Sequence, residues 1–130
     1  MLSITVNTLL TVPRQTGIWG NAMIWSQRRS AQAIIGTPEG RVDEGTWEAF
    51  LASLTSAIGD AALAKVPLVL DLAGIDYMSS RGLRVLTLAR RDSEAKGVEL
   101  TLARPNERMR EILAISRYDK IFTVANEIAE

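Results

Sequence analysis

The chain has 130 residues, with fifteen basic against fifteen acidic side chains and neither cysteine nor histidine. A formal charge of zero offers no electrostatic grip on nucleic acid or on an anionic membrane surface. The missing residue types exclude disulfides, thiolate chemistry, the Ser-His-Asp triad and the commonest metal ligand, and the length suits one domain with a real core.

The N-terminal stretch MLSITVNTLLTV is apolar but lacks a basic flank and is too short to span a bilayer. With no other run of membrane length, the expectation is a cytoplasmic protein that does not enter the membrane. PRQTGIWGN is turn-rich and unpatterned. Residues 1–22 therefore read as an extension: an extra strand, an arm that pairs two copies into a homodimer, or sequence upstream of the natural start. The domain proper is expected over 23–130. Its first elements are a strand at Met-Ile-Trp, a turn at Ser26–Arg29, and an apolar strand around Ala33–Gly36 that Thr-Pro-Glu-Gly ends.

A helix follows. Trp47, Phe50, Leu51, Leu54 and Ile58 recur at helical spacing on one face. Asp43, Glu44 and Thr46 sit where a cap and an acidic first turn belong. Val66–Leu72 is an apolar run of strand length, with Asp71 near its end, which suits a central strand covered by other elements. A second helix is expected from about Gly82 to Lys96, with Leu83, Leu86 and Ala89 inward and Gly97 as terminator. Val98–Ala103 is the next strand. A third helix runs through residues 104–120, with Pro105 and Asn106 at its start and Met109, Ile112 and Leu113 inward. Ile121–Ala125 closes the pattern. Strands alternating with single-striped helices define an α/β domain, a small mixed β-sheet with helices packed on one side.

Two adjacent serines, Ser79 and Ser80, sit between the central strand and the second helix. The structural reading is that one of them caps the helix by accepting from unpaired backbone N–H groups. A cap serine is also a hydroxyl at the positive end of a helix dipole, so a second role is compatible. A serine nucleophile lacks its base here: there is no histidine, no Ser-x-x-Lys and no Gly-x-Ser-x-Gly elbow. Glycine-rich phosphate loops are missing too. Asp71 and Asp76 flank the strand end, and Asp71 reads as a strand-end or turn residue. The residues thus argue for no enzyme, cofactor or metal. Arg81, Arg84 and Arg91 share one outer strip of the second helix, either a solvated face or a surface for an acidic partner helix.

Three segments together resemble the STAS domain of bacterial anti-sigma-factor antagonists: Gly40–Leu54, Val66–Leu86 and Val98–Val124. The family carries Gly-x-Leu-Asp before its first helix, where this chain has Gly40, Arg41, Val42 and Asp43. It also carries an Asp-Ser-(Ser/Thr)-Gly-Leu turn. Gly82 and Leu83 match its glycine and leucine, and Ser80 falls on the serine that a partner kinase phosphorylates, with Ser79 as second choice. Ser79 stands where the family has Asp, and Arg81 where it has Ser or Thr. The resemblance implies a STAS-like single domain that works in partner switching. It would bind an anti-sigma factor that is also a GHKL-type serine kinase, through Gly40, Asp43, Ser79, Ser80, Arg81, Gly82, Leu83 and Arg84. A PP2C-type phosphatase would reverse the modification. The alternative is a STAS scaffold without a phosphoswitch, a subunit of a transport or signalling complex.

Overall fold

In the computed structural model, which describes residues 23–129, one serine sets the first turn. Ser30 Oγ accepts from the amides of Gln32 at 3.2 Å and Ala33 at 3.1 Å. This closes an antiparallel hairpin between β1 (Ile24–Arg29) and β2 (Ile34–Val42). Ser26–Arg29, expected as the turn, is therefore strand. The expectations for residues 1–22 lie outside the described residues.

Thr37–Gly40, expected to end the apolar strand, lies inside β2. The physical reason is a change of neighbour. Pairing with β3 (Leu68–Asp71) stops at Gly36, and pairing with β4 (Ile75–Met78) starts at Gly40. Pro38 has no N–H for a ladder, and it falls in the gap where neither of these strands needs one. β4 itself is an addition to the expected elements. With β5 (Leu100–Ala103) and β6 (Thr123–Ala125) the order is β1-β2-β3-β5-β6, with β4 paired to β2. Every pairing but β1–β2 is parallel, so the sheet is mixed, as expected.

Three helices cover it: α1 (Trp47–Ala64), α2 (Ser80–Ala95) and α3 (Glu107–Ile115). Phe50, Leu54 and Ile58 of α1, Val85, Leu86 and Ala89 of α2, and Met109 and Leu113 of α3 join Leu68, Leu70 and Leu102 of the sheet in one buried cluster. Val69 and Thr101 alternate with those sheet residues, stay part-exposed and lie outside the cluster. The helices thus share one face. Each fully buried Leu, Ile or Phe contributes about 1.5–3 kcal/mol against exposure.

The helix ends follow capping chemistry. Gly97 takes a left-handed φ of 71° just past α2, and Val98 N donates back to Ser93 O at 2.8 Å. Asn106 caps α3 by accepting from Met109 N at 2.9 Å. Its Nδ2 donates to Ala73 O and Ile75 O at 3.1 and 2.8 Å, which ties α3 to the β3–β4 turn. The third helix stops at Ile115 rather than Lys120, because Arg117 adopts φ 65° and breaks the ladder. A 3₁₀ turn over Tyr118–Lys120 follows. It lets Tyr118 stack on Phe122 at 5.9 Å and share a 2.8 Å hydrogen bond with Thr87 of α2.

Candidate functional site

The two serines separate cleanly. Ser79 is the N-cap of α2, with extended backbone, and its Oγ accepts from Gly82 N at 3.3 Å. Its own N–H donates to Val42 O at 2.8 Å, so the turn is tied to the end of β2. Ser and Asp are both strong N-caps, so the serine at this position preserves the helix start that an aspartate would give. Ser80 is the first residue of α2 and is exposed; among the described residues its hydroxyl has no hydrogen-bond partner. The cap role and the free hydroxyl thus fall on different serines.

Gly82 is buried, and its place in the motif is a packing requirement. A Cβ there would lie 2.6 Å from Met78 Cγ and 2.8 Å from Val42 Cγ1. Leu83 is half-buried and packs against the core. These two residues hold α2 close to β2 and β4, whereas Ser80, Arg81 and Arg84 point outward.

The loop from β2 to α1 is built by its own side chains. Gly40 sits at φ 103°, and its N–H donates to Gly74 O at 3.0 Å. Asp43 Oδ1 accepts from Gly45 N at 3.0 Å and Thr46 Oγ1 at 3.2 Å. Asp43 Oδ2 faces Arg41 Nε at 3.5 Å. Thr46 Oγ1 accepts from Asp43 N at 2.9 Å, and its single proton is shared between Asp43 Oδ1 and the closer Arg41 O at 2.7 Å. Asp43 is therefore spent on shaping the turn. Arg41 in turn lies 4.7 Å from the Tyr77 ring centroid.

Between the starts of α1 and α2 lies an open groove with a volume of about 690 Å³. Trp47, Val85 and Leu88 supply its apolar surface, and Glu44, Ser80, Arg81 and Arg84 its polar one. Arg81 bridges the two helices: its Nε is 3.2 Å from Glu44 Oε1, and its guanidinium lies 5.1 Å from the centroid of Trp47. Arg84 is exposed, without an ion-pair or hydrogen-bond partner among the described residues. Arg90 is drawn aside by Glu94 at 3.3 Å. The structure thus brings Ser80, Arg81 and Arg84 together. It leaves Gly40 in β2 and Asp43 in the loop that follows, and Arg91 is not part of the groove wall.

Two contributors were not legible as site residues. Glu44 and Trp47 read as cap and core. Trp47 does belong to the apolar face, but it sits in the first turn of α1, where that face runs out past the core and into the groove. Asp71 is buried and has a structural partner: Arg104 Nη2 and Nε donate to its two oxygens at 2.8 and 3.2 Å, and Ala73 N adds a third bond at 3.1 Å. Asp76 lies on β4 and is exposed. No group of residues among those described is arranged to hold a metal ion, and no described helix is long and apolar enough to cross a membrane.

The chain thus combines a mixed sheet carrying helices on one face with a serine-capped helix tied to the end of its second strand. The STAS domain model matches residues 26–130, and the chain belongs to that family. Among its relatives, BtrV of Bordetella bronchiseptica, named as an anti-sigma factor antagonist, is 36% identical over 93 residues, 72% of this chain and 78% of that protein. The fold is similar to that of an anti-sigma factor antagonist from Mycobacterium paratuberculosis, with TM-score 0.73 and 15% identity over 85% of this chain and 91% of that one. It is also similar to the Bacillus cell fate determinant SpoIIAA in its phosphorylated form, with TM-score 0.56 and 19% identity over 79% of this chain and 92% of that one.

Proposed function

We propose that the chain is an anti-sigma-factor antagonist that works by partner switching and without enzymatic activity of its own. It binds an anti-sigma factor that is also a GHKL-type serine kinase, and so frees the sigma factor. The kinase moves the γ-phosphoryl of ATP to Ser80, and a PP2C-type phosphatase restores the hydroxyl. The observation that carries this reading is an exposed, unbonded Ser80 hydroxyl in the wall of a groove that combines apolar side chains with two arginines. The relative named as an anti-sigma factor antagonist supports the class.

The energetics are favourable to a switch that keeps the fold. A phosphoryl group adds about −1.5 to −2 charge at pH 7. At the N-terminal turn of α2 the helix tolerates that charge. A partner surface built over a neutral serine must instead desolvate a dianion, at several kcal/mol, roughly enough to abolish micromolar binding. Contacts would come from the groove, the Ser79–Leu83 turn and the adjoining Gly40–Asp43 segment.

The test is incubation of the full chain with the host's anti-sigma kinase and ATP, followed by mass spectrometry and a pull-down. Phosphate on Ser80 and loss of the complex are expected. Phosphate on Ser79 overturns the site assignment. Binding without any phosphorylation favours a second reading, a STAS scaffold without a phosphoswitch in a transport or signalling complex. That reading rests on the two departures from the family turn, Ser79 and Arg81, the latter held by Glu44 and Trp47.

A further inference from the structure

Resting on the switch proposed above, the geometry points to a second half of it: we infer that Arg84 is an intramolecular anchor for phosphoserine at position 80. Phosphorylation would then do more than obstruct a partner. It would withdraw from the groove the cation that an acidic partner segment needs.

Ser80 and Arg84 are one helical turn apart on the exposed side of α2, and both line the same groove. An acidic group four residues N-terminal to a basic one is the favourable orientation for an ion pair along a helix. The guanidinium fork also matches two phosphate oxygens at once. The other arginines nearby are committed. Arg81 is paired with Glu44 at 3.2 Å and stacked over Trp47, and Arg90 is paired with Glu94 at 3.3 Å. Arg84 has no such partner among the described residues, so it can turn to the phosphate without breaking an existing contact.

The charge arithmetic makes the effect large. The groove is lined by two arginines and one glutamate, a net of +1. A phosphoryl group of about −1.5 to −2 reverses that sign. The covalent step balances simply: the bond from Ser80 Oγ to phosphorus forms as the bond to ADP breaks, and the hydroxyl proton leaves. Glu44 is the acidic group of the groove, and Arg81 already neutralises it, which limits its repulsion of the phosphate.

The experiment places phosphoserine at position 80 of the full chain during translation and follows its ³¹P resonance against pH. The comparison is with Arg84→Gln, Arg84→Lys and Arg81→Gln. The second phosphate ionisation lies at about 6 without a partner. Anchoring lowers it. Arg84→Gln should raise it back by roughly half a unit, the scale of an exposed ion pair, and high salt should shrink the difference. Arg84→Lys should keep part of the shift, and Arg81→Gln should move it less than Arg84→Gln. An unchanged titration in Arg84→Gln, or a larger change in Arg81→Gln, overturns the anchor. Because no kinase is used, the two ideas fail separately: the switch fails in the kinase assay, the anchor in the ³¹P titration.

Discussion

Replacing Gly82 by alanine sets two opposing effects against each other, and the structure decides between them. Alanine favours a helix interior over glycine by about 0.5–1 kcal/mol. The new Cβ, however, would lie 2.6 Å from Met78 Cγ and 2.8 Å from Val42 Cγ1. These contacts are roughly 0.7–1.4 Å inside the best carbon–carbon separation. Met78 can bend, but Val42 is β-branched, fully buried and fixed in β2. Two such contacts belong in the upper half of the overpacking range of about 1–3 kcal/mol. The net expectation is a loss of about 1–2 kcal/mol, or roughly 4–8 °C in melting temperature for a domain of this size. Gly59 is the internal control. It lies in the middle of α1 and nothing stands within 4 Å of a Cβ there. Gly59→Ala should therefore gain about 0.5–1 kcal/mol. Thermal unfolding by circular dichroism, checked by urea titration, reads both. If Gly82→Ala proves as stable as the parent chain, or if both variants move in the same direction, the packing argument for the motif glycine is wrong.

Ser79→Ala should cost about 0.5–1 kcal/mol, the low end for a lost cap because the bond is long, and Ser80→Ala should stay within about ±0.5 kcal/mol; urea midpoints in the reverse order would reassign the cap. Arg104→Met should leave the buried Asp71 carboxylate with only Ala73 N among its observed donors and lower stability by about 2–3 kcal/mol, a loss that equal urea midpoints would contradict. Arg84→Glu should weaken the complex with the anti-sigma partner, more at low salt than at high, while Arg91→Glu does less and neither changes the stability of the domain by more than about 0.5 kcal/mol. Titration at two salt concentrations tests this pair, and wild-type binding by both variants would place the interface elsewhere.

Long periodic elements were legible in the residues alone. α1 and α2 carry apolar faces over four or more turns, and β3 is apolar up to its last residue, Asp71, so tertiary context had little to override. The short, context-made elements were not. Ile75–Met78 is four residues long and includes an exposed Asp76; only its parallel register with Gly40–Val42 makes it β4. Thr37–Gly40 has turn composition, and it is strand because β2 exchanges one neighbour for another there. Arg117 stops α3 in a left-handed conformation without a glycine to announce it. At the site, local residues allowed either serine to be the cap. The choice needed the contact from Ser79 Oγ to Gly82 N. The bridge from Arg81 to Glu44 and Trp47 joins residues more than thirty positions apart, beyond the reach of any periodicity.

That bridge has an optical consequence. The chain has three tryptophans, and among the described residues Trp47 lines the groove, under a guanidinium. Trp25 is packed over Gly36 and lies 6.5 Å from the Phe50 ring. An occupant that displaces Arg81 or dries the groove must change the surroundings of the Trp47 indole, and so its emission. With Trp19 and Trp25 replaced by phenylalanine, the domain becomes its own dye-free sensor. Occupancy of this face could then be followed in a cuvette, in real time and without a label on either molecule.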